Sequence, residues 1–164
     1  MLIEITGNLA RKKKRDVGRV VLVMKVVRKE TAAFFNRHWG GVKPPVWSEN
    51  PYTFQGEIPN GTSRGCYALL EGRKVVYIGL GVKRGKGRYE GHGIDARLKK
   101  GYLRAVKRKK SSGKDQPRVP VKKWASITAI YTIGFPEKYS YLANSLEAYL
   151  LLQLSPERNI NLIG

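Results

Sequence analysis

Two short apolar runs, Gly65-Cys66-Tyr67-Ala68-Leu69-Leu70 and Val75-Val76-Tyr77-Ile78-Gly79, flank the turn-forming stretch Glu71-Gly72-Arg73-Lys74. β-rich runs around a short glycine-containing loop predict an antiparallel hairpin. With Leu70 and Val75 as the pair beside the turn, Tyr67 is expected near Ile78 and Tyr77 near Ala68. The two phenols then meet at the far end of the hairpin, beside Gly65 and Gly79, whose backbone is left open to a ligand.

The same reading extends along the chain. Residues 2–6 alternate like a short strand, and Arg11 to Arg15 form a basic loop. Arg19 to Val27 is β-branched and nearly continuous in apolar character, so it predicts a strand. Glu30 to Trp39, with Ala33 and Phe34 on one face, predicts a short helix stopped at Gly40-Gly41. Residues 42–61 hold Pro44, Pro45, Pro51, Pro59 and an Asn60-Gly61 turn, which reads as an ordered loop. Gly81 to Gly93 is a glycine-rich basic loop. Asp95 caps a predicted helix running to about Lys110, with Ile94, Leu98, Tyr102 and Ala105 on one face. After a polar loop over Ser111 to Val119, Trp124 to Phe135 reads as a third strand and Tyr141 to Leu154 as a helix stopped by Pro156. The expected fold class is α+β: a small antiparallel three-stranded sheet flanked by helices, in the order β-β-α-β-α over residues 62–164. Residues 1–61 form an N-terminal extension with β structure, a DNA-contact or dimerisation element.

Charge narrows the partner. Thirty-two Lys and Arg against twelve Asp and Glu give +20 on 164 residues, and repulsion of that size suits a polyanionic partner. Nucleic acid is the expected one. No basic stretch carries a face of Trp or Phe for a membrane surface, and the longest apolar run, Val20 to Val27, is broken by Lys25. A single cysteine, Cys66, and a polar N-terminus fit a reducing, cytoplasmic setting.

Glu147 stands out on an apolar helix, among Leu142, Leu146, Leu150, Leu151, Leu152 and Leu154. A carboxylate there is costly to bury unless it is paired, hydrogen-bonded or bound to a cation. A salt bridge to a basic neighbour, or exposure at the helix edge, answers that cost as well as a metal does. No Cys/His spacing suits zinc, and no acidic cluster suits a two-metal site.

Gly65-Cys66-Tyr67 with Tyr77-Ile78-Gly79 resembles the paired tripeptide of the GIY-YIG nucleases, with Cys66 where isoleucine is usual. Further residues follow in the family's order: Arg97 on a basic helix, Glu147 on a later apolar helix, and Asn159 in Pro156-Glu157-Arg158-Asn159. The resemblance covers residues 62–164. It implies a Mg²⁺- or Mn²⁺-dependent DNA endonuclease, of the restriction or phage type. Tyr67 would be general base to the attacking water, Tyr77 would orient it or hold the phosphate, and Arg97 would clamp the scissile phosphate. Glu147 would hold the metal and Asn159 would fix local geometry. A free phenol titrates at about 10, so Tyr67 needs help, from Lys74, Arg97 or the metal.

Three departures from the family pattern bear on these roles. Arg97 lies twenty residues after Tyr77, so the glycine-rich loop is an insertion and Arg84 or Arg88 could be the functional arginine. The histidine that some members place after the arginine is replaced by Gly101-Tyr102, and His92 upstream is a possible substitute. The third is the phenol itself, whose activity depends on an assisting group. Phosphate contacts are expected from Lys83, Arg84, Lys86, Arg88, Lys99, Lys100, Arg104, Lys107 and Arg108. Trp39, Trp47, Tyr52 and Phe54 could stack on bases, with core packing as the plainer use. Cutting both strands of a duplex implies a homodimer or sequential nicks. The competing classes are a basic nucleic-acid-binding module that does not cut, and a nuclease for branched or single-stranded substrates.

Overall fold

The computed structural model describes residues 22–41, 43–82, 93–106 and 116–160. The strand expected over residues 2–6, the basic loop Arg11 to Arg15, and Lys83, Arg84, Lys86, Arg88, His92, Lys107 and Arg108 lie outside these.

The hairpin forms from β1 (Arg64–Glu71) and β2 (Lys74–Gly81), and β1 also pairs antiparallel with β5 (Ala129–Phe135), giving the order β2-β1-β5. β1 is central and covered on both faces, which is why it reads as an unbroken apolar run rather than an alternating one. Cys66, Ala68 and Leu70 enter one core with Met24, Val27, Phe34, Phe35, Leu146 and Leu150. Tyr67 and Leu69 enter a second core with Ile94, Leu98, Tyr102 and Trp124. The sheet is thus the middle of three layers. α1 (Met24–His38) and α3 (Leu142–Leu154) cover one face, and α2 (Ile94–Gly101) with the small β3–β4 ribbon (Leu103–Ala105, Arg118–Pro120) lies on the other side. The fold is α+β, as expected.

The strand expected over Arg19 to Val27 is a correction. Leu22 and Val23 precede the helix, with Val23 extended, and the Leu22 carbonyl accepts a hydrogen bond from the Val75 N–H at 2.7 Å. From Met24 the chain is helical. The buried positions Met24, Val27, Thr31, Phe34 and Phe35 recur at helical spacing, and the gain from burying that face overrides the β preference of the valines. Among the described residues before 62, the β contribution is a single bridge, Tyr52 to Ile130. Trp47 and Tyr52 are core residues, and Trp47 Nε1 donates to Thr31 Oγ1 at 2.8 Å.

Two further boundaries move. The helix expected from Asp95 to about Lys110 ends at Gly101, and Leu103–Ala105 then pairs with Arg118–Pro120. Asp95 does not cap this helix; Gly93 holds that position, and Asp95 pairs with Lys99 one turn on. Lys99 and Lys100 are therefore on α2 while Arg104 is on a strand, so they share no helix face. Trp124 belongs to a 3₁₀ turn, Lys122–Trp124, ahead of β5.

β2 is an edge strand, and α4 (Glu157–Ile160) closes it. Asn159 Oδ1 accepts from the Ile78 N–H at 2.9 Å, and Asn159 Nδ2 donates to the Ile78 carbonyl at 2.8 Å, as a neighbouring strand would. Lys74 pairs with Glu157, and Arg158 pairs with Glu71 while lying over the Trp124 ring. Among the described residues no helix is long and apolar enough to cross a membrane.

Gly65 does not leave its backbone open. A Cβ there would stand 1.8 Å from the Ile133 carbonyl oxygen, so the site is filled by β5. Gly65→Ala is expected to destabilise the fold by about 3 kcal/mol or more, because backbone cannot give way as a side chain can. Urea unfolding measures this; an unchanged midpoint and slope would contradict the close β1–β5 approach.

Candidate active site

The hairpin register differs from the simple one by a single residue. Leu70 pairs with Val75 as expected, but a bulge at Val76 makes Leu69 face Tyr77, Ala68 face Ile78 and Tyr67 face Gly79. Side chains alternate along a strand, so in the unbulged pairing the two phenols would fall on opposite faces. The extra residue turns Tyr77 onto the face of Tyr67. Their ring centroids are 6.3 Å apart.

Gly79 makes room for this. A Cβ at Gly79 would lie 2.6 Å from the Tyr67 hydroxyl and 2.7 Å from Tyr77 Cε1, so the Tyr67 ring occupies the space above the glycine. The motif glycine thus admits a phenol, not a ligand. Gly79→Ala is expected to displace the Tyr67 hydroxyl, costing about 1–3 kcal/mol of stability and, if the site is catalytic, roughly tenfold to a hundredfold in rate. Thermal unfolding and an activity assay on the same preparation separate the two effects.

Tyr102 completes the group. Tyr67 donates its hydroxyl hydrogen to Tyr102 Oη at 3.0 Å, and the Tyr77 and Tyr102 ring centroids are 5.8 Å apart. Trp124 packs edge-on against Tyr77 at 5.2 Å and lies 5.1 Å from Tyr102. Arg97, exposed on α2, is close enough to lower the pKa of both the Tyr67 and the Tyr77 phenol. The start of α2 is fixed for this, since the Ile94 and Asp95 N–H groups donate to the Ser63 and Gly61 carbonyls. An exposed arginine therefore acts on a fully buried phenol.

Burial pushes the Tyr67 phenol well above its ordinary value, and its donation to Tyr102 pushes the same way; nearby Arg97 pulls it down. Burial likewise raises Tyr77, helped by Tyr102 and by the negative charge of Glu147, against Arg97. Glu147, half-buried on α3, is thus felt by Tyr77, and it also acts on Cys66. The Cys66 thiol donates to the Ala143 carbonyl at 3.3 Å and is raised chiefly by burial. That describes a packed thiol, not a nucleophile.

Of the residues singled out from the sequence, Tyr67, Tyr77 and Arg97 come together, and Glu147, on the other layer, acts electrostatically on Tyr77. Asn159 is bound to the β2 backbone between Tyr77 and Gly79. Lys74 does not join them: it is at the turn end of the hairpin, engaged with Glu157, and is not among the charges acting on either phenol. Arg84, Arg88 and His92 are outside the described residues. Tyr102 was assigned only to a helix face by the sequence. Its place directly after a helix-ending glycine is the signal that it leaves that face.

The carboxylate a cation would find is Glu147, half-buried on α3 and close enough for its charge to act on Tyr77. Among the described residues there is no group of three His, Cys, Asp or Glu that could hold a metal. Such a donor set fits Mg²⁺, which keeps most of its waters and takes phosphate oxygens, and it does not fit zinc. Compared with protein-family models, curated proteins and solved structures, the chain matches none.

Proposed function

We propose that this chain is a divalent-metal-dependent DNA endonuclease, hydrolysing phosphodiester bonds at the Tyr67, Tyr77, Arg97 and Glu147 cluster. The observation that carries the reading is the meeting of Tyr67, Tyr77 and Tyr102 within reach of Arg97: a surface cation, able to take a phosphate, acts on a phenol able to take a proton. The charge of +20 supplies the attraction to a polyanion.

In this scheme Arg97 holds the scissile phosphate with its guanidinium donors. The Tyr67 oxygen, as phenolate, accepts a proton from the attacking water as the new P–O bond forms and the bond to the leaving oxygen breaks. Arg97 favours that phenolate, and Tyr102 orients it. Tyr77 packs beside Tyr67 and Tyr102. Glu147 would hold Mg²⁺ or Mn²⁺. When bound, the ion supplies positive charge at the phosphoryl oxygens and the leaving group. Asn159 keeps Tyr77 and Gly79 in place through the Ile78 backbone.

Supercoiled plasmid incubated with the protein and Mg²⁺ or Mn²⁺ should be nicked or linearised, and EDTA should stop it. No conversion with either ion would contradict the reading. One observation favours a second reading, a binding module that does not cut: the Tyr67 ring is 0% exposed and its phenol is held neutral. Salt-sensitive binding to the same plasmid, without cleavage in either metal, is its expected result.

A further inference from the structure

The outward face of α3 carries four residues that no other part of the hydrolytic reading uses. Tyr141 is 66% exposed and Leu152 78% exposed, large for apolar side chains, and Ser145 and Ala148 between them are exposed as well. At about 100° per residue these four positions fall within roughly 60° of one another. They lie opposite the buried face of Leu142, Ala143, Leu146 and Leu150.

We propose that this face is a self-association surface, on which a second copy of the chain docks with its α3 antiparallel. The order of sizes argues for it. The four positions are symmetric about the point midway between Leu146 and Glu147, with the two small residues nearest that point and the two large ones at the ends. Around a two-fold axis through that point, Tyr141 meets the partner's Leu152, and Ser145 meets the partner's Ala148, twice over. Small residues at the centre let the helices approach; large ones fill the ends.

Charge selects the same occupant. Positions 141, 144, 145, 148 and 152 hold Tyr, Asn, Ser, Ala and Leu, with no charge among them, on a chain of +20. Nucleic acid gains nothing there, because phosphates are bound by cations. Two copies of so basic a chain repel, and a neutral face is where they can meet at least cost. Antiparallel helices also set opposite dipole ends side by side. The inference does not depend on the nuclease reading, since this face would pair two copies whether or not the chain cuts.

The patch is small against a standard interface, so the dissociation constant is expected in the micromolar range, on the order of 1–100 μM. Sedimentation equilibrium of the full chain from about 1 to 200 μM should show a monomer–dimer exchange that tightens with added salt, as screening weakens the repulsion. Leu152→Glu and Tyr141→Lys should each weaken it by roughly a hundredfold, because an isologous contact loses the residue twice. Both sites are exposed, so circular dichroism should not change. Combining Leu152→Glu with Tyr141→Lys should restore the dimer, since each new carboxylate would face the partner's new ammonium. A wild type that stays monomeric over this range overturns the proposal and leaves the face to residues 1–21 or to another protein. A double variant as weak as the single ones overturns the antiparallel register.

Discussion

Tyr67→Phe is expected to lower the cleavage rate by about 10²–10⁴-fold, the range for losing a positioned general base. The substitution removes one oxygen from a ring whose place is already set by Gly79 below it and by Tyr77 and Tyr102 beside it. Packing should survive. What is lost is the hydrogen bond to Tyr102, about 1 kcal/mol of stability. Substrate binding, carried by Arg97 and the basic surface, should change little. A gel-shift assay beside a cleavage assay makes that separation: affinity within a few fold of wild type, rate lower by orders of magnitude. Equal loss in both would make Tyr67 a packing residue.

Glu147→Gln is expected to cost about 10³-fold in rate at low Mg²⁺, since an ion bound at this carboxylate would supply several kcal/mol at the reacting phosphate. Glutamine keeps the side-chain volume and its hydrogen-bonding reach but removes the charge. The informative measurement is rate against Mg²⁺ concentration. A metal ligand shifts that curve to higher concentration, with partial recovery when Mg²⁺ is abundant. A uniform change at all concentrations would instead mean that Glu147 acts on structure.

Sequence pattern carried the central sheet well because its signals are local. The turn Glu71-Gly72-Arg73-Lys74 and the two apolar runs define β1 and β2, and Pro156 defines the end of α3. Where the pattern misled, a distant partner decided. Val23 to Val27 has strand composition, yet packing beside Leu146 and Leu150 selects the helical face of α1. Tyr102 has the spacing of a helix residue, yet the helix ends at Gly101 and the ribbon with Arg118–Pro120 takes over. The Val76 bulge has no mark in its own residues. It decides whether the phenols share a face, so the candidate site was legible in its members but not in its geometry. Asn159 was expected to fix local geometry, and its two bonds to Ile78 show where.

The most direct measurement is the single-turnover cleavage rate against pH, for wild type and for Tyr67→Phe and Tyr102→Phe. Burial and Tyr102 hold the Tyr67 phenol above its ordinary value of 10.0, so the active phenolate is a minor species at neutral pH and grows with pH. The wild-type rate should therefore rise about tenfold per pH unit from 7 to 9 with no plateau. Tyr102→Phe removes a contact that favours the neutral phenol, so the same rise should move to lower pH. Tyr67→Phe should be slow and nearly flat. A wild-type profile that is level across this range, or a Tyr67→Phe profile that rises in parallel with it, would contradict the account.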